Sequence, residues 1–122
     1  MIYLASLYSL NAKTDNLQDR ITRGKRYQYT LKRLSQMIND GEFVFSPIAH
    51  CKVVADEYGL PHDYEFYKKN DRHFISKSDK VLVLKMVDEC GSWEDSEGIT
   101  DEIQFALDQG IKVGYLDCTD YK

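Results

Sequence analysis

The sequence predicts a small doubly wound α/β domain, of the Rossmann or flavodoxin-like type, with a parallel sheet of four or five strands. Short apolar runs alternate along the chain with longer segments of helical periodicity. The run Val-Leu-Val-Leu at 81–84 lacks polar alternation, which is typical of a strand buried on both faces. Helix-length segments between successive strands indicate right-handed crossovers. We expect the strand order 2-1-3-4, with helices on both faces.

Length and composition indicate one ordered domain over residues 1–122, because 43% of the residues are hydrophobic and 30% are charged. The net charge of −4 argues against general nucleic-acid binding. No apolar run approaches the roughly 20 residues of a membrane span, and the first strand directly follows Met1, which predicts no signal peptide. The cysteines are odd in number and irregularly spaced, so we expect a cytoplasmic protein with reduced thiols and no metal or cofactor. They are Cys51, Cys90 and Cys118.

The first half of the chain predicts two strands joined by a long helix. Strand one covers residues 2–7, and strand two covers residues 43–45. Apolar residues at helical spacing lie between them and are expected to face inward. They are Leu17, Ile21, Tyr27, Leu31, Leu34 and Ile38. Residues 48–60 are expected to form a loose connection, with a short helix around residues 52–58.

The second half predicts two helices and two strands. Pro61 is well placed to start a helix over residues 62–78, since proline favours the first helical turn. Strand three follows at 81–86. A loop then leads to a helix over residues 98–109, and strand four occupies residues 111–116.

The start of the last helix is the most informative segment for function. Ser96 and Gly98 lie where a strand gives way to a helix, and backbone N–H groups with the positive end of the helix dipole favour an anion there. Glu102 lies one turn into the helix, near the sheet edge where α/β domains bind ligands. This pattern suggests chemistry on a phosphorylated small molecule. An ordinary helix cap, with Ser96 as N-cap residue, explains the same pattern equally well.

Further candidates lie at the ends of the other strands and on the helices. Tyr3, Ser6 and Tyr8 are at or just after strand one, although Tyr3 is equally typical of a core aromatic residue. Asp71 lies on the helix before strand three, where a lone aspartate is usually a surface residue. Arg26, on the first helix, is the candidate for an additional phosphate contact.

The turn after strand two and the loop after strand three add three substrate-binding candidates. Ser46 and His50 follow strand two; His50 suits base recognition or proton transfer, but a loop histidine is more often only solvated. Trp93 suits a lid that stacks on a base, and simple loop packing explains it as well. The adjacent Cys51 is rejected as a nucleophile because no group that would stabilise its thiolate is evident.

Four motifs occur in order along almost the whole chain: Tyr-Leu-Ala-Ser at 3–6, Phe-Ser-Pro-Ile-Ala-His at 45–50, Asn-Asp at 70–71, and Trp-Glu-x-Ser-x-Gly-x-x-x-Glu-Ile at 93–103. Together they resemble an uncharacterised bacterial and phage family, DUF1937. That family is similar to a branch of the nucleoside 2-deoxyribosyltransferase superfamily.

The resemblance implies a role for several residues. The superfamily's nucleophilic glutamate falls on Glu102, its supporting aspartate on Asp71 and its strand-one tyrosine on Tyr3. Enzymes acting on free nucleosides carry an aspartate at the position of Ser96, whereas the 2′-deoxynucleoside 5′-monophosphate N-hydrolases bind phosphate there with serine and glycine. The chain has Ser96 and Gly98 and therefore resembles the hydrolases.

The chain departs from the family pattern in two places. It has Ser-Leu-Tyr at 6–8 where family members usually have Ser-Pro-Tyr. It also lacks the longer C-terminal part of the larger transferases. The resemblance therefore implies a homodimer, or a higher homo-oligomer, in which a partner subunit covers the site.

These observations predict an N-glycosidase that cleaves the base–sugar bond of a nucleoside or deoxynucleoside 5′-monophosphate. Glu102 forms a covalent glycosyl ester that water resolves, and Asp71 either steers protonation or positions Glu102. Glu97 and Asp101 are expected to point away from Glu102. A non-catalytic nucleotide-sensing module and a deoxyribosyltransferase that exchanges bases are the alternatives.

Overall fold

Four parallel strands form the central sheet of the structure, a computed structural model that describes residues 1–61 and 63–122. They are β1 (Ile2–Ala5), β2 (Val44–Phe45), β3 (Lys80–Lys85) and β6 (Lys112–Asp117). Their order is β2-β1-β3-β6, with every neighbouring pair parallel. A short antiparallel hairpin of β4 (Val87–Asp88) and β5 (Gly91–Ser92) follows β3. The predicted α/β class, the parallel sheet and its strand order are confirmed; the hairpin is an addition.

Four helices connect the strands. They are α1 (Leu17–Asn39), α2 (Pro47–Tyr58), α3 (Tyr64–Ser76) and α4 (Glu97–Asp108). Three of them match predicted helices to within a few residues. The predicted start of α3 at His62 lies outside the described residues. Within the described ranges, no helix combines the length and the apolar character needed to cross a bilayer.

Helix α2 replaces the loose connection expected over residues 48–60. The Ser46 hydroxyl accepts a hydrogen bond from the Ala49 N–H at 3.1 Å and caps the helix, and Pro47 occupies the first turn. Gly59 ends the helix in the left-handed region, with φ of 69°. The short helix expected around residues 52–58 is therefore the second half of a longer helix, and the expectation of a loose connection before it was wrong.

Helix α1 presents a different face to the core than its apolar residues predict. Leu17, Ile21 and Ile38 were expected to face inward, but they are 69%, 42% and 56% exposed. The buried residues of α1 are Thr22, Arg23, Arg26, Tyr29, Thr30 and Met37. Two of them are arginines whose guanidinium groups find partners inside the fold, which hydrophobic periodicity does not detect.

The centre of the sheet is covered on both faces. Tyr3, Leu4 and Ala5 of β1 are all fully buried, as are Val81, Val83 and Leu84 of β3, with Leu82 nearly so. Because successive side chains of a strand point to opposite faces, this burial requires cover on each side. The carboxyl ends of β1 and β3 lie side by side, and the loop that leaves β1 forms one wall of a cleft.

Candidate active site

A cleft of about 1000 Å³ lies at the carboxyl edge of the sheet. Its walls come from the loop after β1, from α2 and α3, and from the first half of α4. Several predicted site residues line it: Ser6, Tyr8, Asp71, Ser96, Gly98 and Glu102. This position agrees with the rule that open α/β sheets bind ligands outside the carboxyl ends of their strands.

Three buried polar side chains form a cluster at the floor of the cleft; Asp71 and Glu102 line the cavity, and Tyr3 contacts Glu102 from within the core. Tyr3 of β1, Asp71 of α3 and Glu102 of α4 are 0%, 5% and 4% exposed. The Tyr3 hydroxyl donates a hydrogen bond to Oε2 of Glu102. Within residues 1–61 and 63–122, no group of three or more His, Cys, Asp or Glu side chains is arranged to hold a metal ion. The cluster consists of two acids, and Tyr3 joins one of them to strand β1.

The acid pair holds its protons more tightly than free carboxyl groups do. Burial raises the pKa of Asp71 to about 7, although the neighbouring polar side chains of Asn70 and Tyr3 oppose the shift. Burial, with the negative charge of Asp71, raises the pKa of Glu102 to about 8, again against the hydrogen bond from Tyr3. Two coupled acids of this kind share a proton near neutral pH. One carboxyl group can then donate a proton while the other is ionised.

Two buried polar atoms of the cleft lack a hydrogen-bond partner within the described part of the chain: Oγ of Ser6 and Oδ1 of Asp71. A buried polar atom without a partner costs about 1–3 kcal/mol, so native structures seldom leave one unused. Both residues line the cleft, so a bound molecule could supply the missing partners. The two atoms are therefore candidate ligand contacts.

The start of α4 is a helix cap, and the cap leaves fewer N–H groups free for an anion than the sequence pattern suggests. The Ser96 hydroxyl accepts from the Ile99 N–H at 3.2 Å, which confirms the capping interpretation, and the Ser96 N–H donates to the Trp93 carbonyl at 3.2 Å. The N–H groups of Glu97 and Gly98 remain, since the first turn of a helix has no intrahelical acceptors. The Ser96 hydroxyl can still donate its own hydrogen to an anion.

Gly98 is required by the ring of Tyr64, which lies against the start of α4. A Cβ atom at Gly98 would lie 2.9 Å from Cδ1 of Tyr64. We expect Gly98→Ala to destabilise the chain by about 1–2 kcal/mol, because the clash outweighs the gain in helix propensity. In a Tyr64→Ala background the same change should be neutral or stabilising. Urea denaturation measures both effects.

Gly24 of α1 is the matched control, because a Cβ atom there meets nothing within 4 Å. Gly24→Ala should stabilise the chain by up to about 1 kcal/mol through helix propensity alone. Equal changes in the free energy of unfolding for Gly24→Ala and Gly98→Ala would contradict the proposed clash with Tyr64.

Arg26 does not lie in the cleft, contrary to its predicted role in phosphate binding. Its side chain is fully buried and donates to both carboxylate oxygens of Asp88, at 2.8 and 2.9 Å. It also donates to the carbonyl groups of Tyr8 and Leu10, both at 2.8 Å. With these partners, Arg26 joins the loop after β1 to the β4–β5 hairpin and has a structural role.

Three other predicted substrate contacts also lie away from the cleft. Ser46 is buried as the cap of α2, and His50 is exposed with its ring against Phe45, at 5.3 Å between centroids. The Trp93 ring packs against Tyr115 of β6 at 5.5 Å, which agrees with loop packing rather than a lid. The helical form of α2 explains part of the difference from the prediction, because Ser46 and His50 then lie at its first turn and not in a loop over the cleft.

The cleft contains residues that the sequence did not single out. They are contributed largely by α2 and α3 and include Cys51, Lys52, Tyr64, Tyr67 and Lys68. The cap residues of α2 could have predicted this helix, and a helix here brings Cys51 and Lys52 to the cleft. No comparable pattern marks the tyrosines of α3.

Asp101 lines the cleft, as does Glu97 at the start of α4, although both were expected to point away from Glu102. Asp101 accepts hydrogen bonds from the Tyr64 hydroxyl at 2.7 Å and from the Arg72 guanidinium at 2.5 and 3.2 Å. Burial opposes ionisation here, but the hydrogen bonds from Arg72 and Tyr64 outweigh it and lower the pKa of Asp101. The acid pair thus has an ionised carboxylate as its immediate neighbour.

The fold and the Tyr3–Asp71–Glu102 cluster together define a small parallel α/β domain with a buried acid pair at the floor of its cleft. The chain belongs to the family described as "Domain of unknown function (DUF1937)", which matches residues 1–117. The family predicted from the sequence motifs is thereby confirmed. No curated protein and no solved structure matches the chain.

Proposed function

We propose that the chain is an N-glycosidase acting on a nucleoside or deoxynucleoside 5′-monophosphate, related to the nucleoside 2-deoxyribosyltransferase superfamily. The observation that carries the proposal is the buried cluster of Tyr3, Asp71 and Glu102 at the floor of the cleft. A carboxylate nucleophile paired with a carboxylic acid is the arrangement that retaining glycosidases use. Both members of the pair border a cavity of about 1000 Å³, which is large enough for a nucleotide.

In the first step, Glu102 acts in its ionised form while Asp71 carries the shared proton. A carboxylate oxygen of Glu102 attacks C1′ of the sugar, and the bond between C1′ and the base nitrogen breaks. The electron pair of that bond leaves with the base, which takes the proton from Asp71. The two pKa values place the shared proton on Glu102 in the free chain, so this step requires the proton to move to Asp71 when the substrate binds.

In the second step, water attacks C1′ and the ester bond to Glu102 breaks. Asp71, now ionised, accepts the proton of the water molecule, so the pair returns to its starting state. The products are the free base and the sugar 5-phosphate. Tyr3 supports both steps, because its hydrogen bond stabilises the ionised form of Glu102 as attacking group and as leaving group.

The substrate phosphate binds at the start of α4 in this proposal. The N–H groups of Glu97 and Gly98 and the Ser96 hydroxyl are the donors, and the helix dipole adds to them. The base lies toward Tyr8 and Tyr67, whose rings border the same cleft and can stack on it.

We also propose a homodimer or higher homo-oligomer. Its support is the apolar surface of α2 and α3, where Val53, Val54, Tyr58 and Phe66 are 48–79% exposed. Exposed apolar groups of this size are typical of association surfaces when they lie together. Sedimentation equilibrium measures the oligomeric state, and a monomer at all accessible concentrations would remove this part of the proposal.

A panel of nucleoside 5′-monophosphates with different bases, each in the ribose and deoxyribose form, tests the activity. Purified chain is incubated with each compound, alone and with a second free base, and products are separated by chromatography. Free base with sugar phosphate supports the N-glycosidase. A newly formed nucleotide indicates a transferase, and binding without product indicates a sensing module.

The phosphate site makes a separate prediction. We expect a nucleoside 5′-monophosphate to bind about tenfold or more tightly than its nucleoside, since the phosphate gains charge-assisted hydrogen bonds. Ser96→Asp should remove this advantage, because a carboxylate repels the phosphate, and should leave nucleoside binding unchanged. Calorimetry measures the four affinities. Ser35→Asp, on the exposed face of α1, adds the same charge away from the cleft and should change none of them.

One observation favours the sensing module as the second candidate. The pKa of Glu102 is raised by burial and by the charge of Asp71, so the free chain holds Glu102 largely neutral at pH 7. A neutral carboxyl group is a poor nucleophile but a good hydrogen-bond donor to a ligand. For catalysis, the proton must reside on Asp71 when substrate is bound.

A further inference from the structure

An ion pair joins α3 and α4 directly beside the acid pair. Arg72 is the chain neighbour of Asp71, and Asp101 is the chain neighbour of Glu102. The Arg72 guanidinium donates to both carboxylate oxygens of Asp101, at 2.5 and 3.2 Å. It also lies over the ring of Phe105, one turn further along α4, at 5.0 Å. Arg72 thus contacts two successive turns of the opposite helix.

The acid pair by itself pushes these helices apart whenever both carboxyl groups are ionised. Two buried carboxylates repel each other strongly because the surroundings screen them poorly. The ionisable groups that act on the pair come from every surrounding element. They are Tyr3 of β1, Cys51 of α2, Tyr64 and Tyr67 of α3, and Asp101 of α4. None of these supplies a positive charge, so attraction between the helices must come from outside the pair.

We propose that the ion pair of Arg72 with Asp101 is a positioning device, which holds Asp71 of α3 against Glu102 of α4. Its importance for base release rests on the proposed function; its effect on the geometry of the pair does not. Tyr64 reinforces the contact by donating to Asp101 at 2.7 Å. Arg72 is suited to this task because its planar fork fixes the orientation of a carboxylate, which a lysine does not. The two residues touch each other and not the reacting atoms, so they are positioning residues.

A positioning role and a simple charge effect predict opposite changes in the pKa of Glu102 when a neutral residue replaces Arg72. If Arg72 acted only as a nearby positive charge, Arg72→Gln would leave the negative charge of Asp101 unbalanced and raise the pKa of Glu102 further. If Arg72 holds the helices together, the same change lets the acids separate and admits water. Burial and mutual repulsion then both weaken, and the pKa values of Asp71 and Glu102 fall toward their ordinary range.

The test is a pH titration of the carboxyl ¹³C signals of Asp71 and Glu102 by NMR, in the unliganded full chain. We expect Arg72→Gln to lower the apparent pKa values of the pair by about one pH unit or more. Arg72→Lys keeps the charge but loses the fork, so we expect a smaller fall in the same direction. If Arg72→Gln proves too unstable to titrate, the Arg72→Lys titration tests the proposal: a fall in the pKa values of the pair supports it, and no fall contradicts it.

Lys68 provides the matched control, since its ammonium group lies 4.0 Å from Asp101 and also belongs to α3. Lys68→Gln removes a positive charge near Asp101 without removing the two-point contact, and should produce no fall. Unchanged or raised pKa values in both Arg72 variants would overturn the proposal, as would equal falls in Lys68→Gln and Arg72→Gln.

Turnover gives an independent readout. If the chain releases base, Arg72→Gln should lower kcat about tenfold and change KM less than twofold, because substrate contacts remain. A wild-type chain that releases no base from any nucleotide would contradict the proposed function. The NMR titration would still decide whether Arg72 positions the pair.

Discussion

Glu102→Gln is expected to abolish base release, lowering kcat by about three orders of magnitude or more, while nucleotide affinity changes little. An amide keeps the shape of the side chain and still accepts the hydrogen bond from Tyr3. It cannot form the glycosyl ester, so the loss falls on the chemical step. Rapid-quench turnover and calorimetry with the same nucleoside monophosphate separate the two quantities.

Asp108→Asn is the control, because Asp108 is an exposed residue of the same helix outside the cleft lining and the substitution removes the same charge. It should retain activity. Asp101 is unsuitable as a second control, since its bonds to Arg72 and Tyr64 couple it to the acid pair. If Glu102→Gln releases base at the wild-type rate, Glu102 is not the nucleophile and the cleft is better interpreted as a binding site.

Glu102→Gln should also stabilise the chain, and the gain should grow with pH. The pKa of Glu102 is raised in the folded state, to about 8, so the folded chain binds its proton more tightly than the unfolded chain does. Stability from such a group is fully present below its unfolded pKa of about 4.3 and is lost as the pH rises toward the folded value. Asp71, with its pKa raised to about 7, behaves in the same way.

The variant escapes this loss because an amide does not ionise. We expect the difference in free energy of unfolding to be small at pH 4.5 and to reach about 2–5 kcal/mol near pH 9. Urea denaturation across this range measures it, with Asp108→Asn as the charge-matched comparison. A gain that is constant with pH, or that shrinks as the pH rises, would show that Glu102 is not held neutral by its surroundings.

The sheet was predictable because strand burial and chain direction leave few arrangements. The apolar run at 81–84 marks a central strand, and right-handed crossovers then fix the order of the remaining strands. Helix α1 was predicted in extent but not in orientation. Its inward face depends on Arg23 and Arg26, whose partners are carbonyl groups and a carboxylate far along the chain.

The site was predictable from motifs rather than from periodicity. Asp71 and Glu102 lie on different helices, and only the resemblance to a family indicated that they work together. The structure independently buries both beside Tyr3. By contrast, the interpretations of Arg26 and His50 relied on residue type and approximate position. Residue type alone does not distinguish a ligand contact from a buried ion pair or a solvated surface group.

The arginines of α1 have a consequence for how this cleft can diversify. Arg26 holds the carbonyl groups of Tyr8 and Leu10, and Arg23 holds those of Ala12 and Thr14. These four contacts use main-chain oxygens, which every amino acid possesses, and side chains that lie outside the loop. Mutations of the loop side chains can therefore change which ligand the cleft binds while these main-chain contacts keep the loop in place. Ligand preference can differ between homologues that keep the same fold.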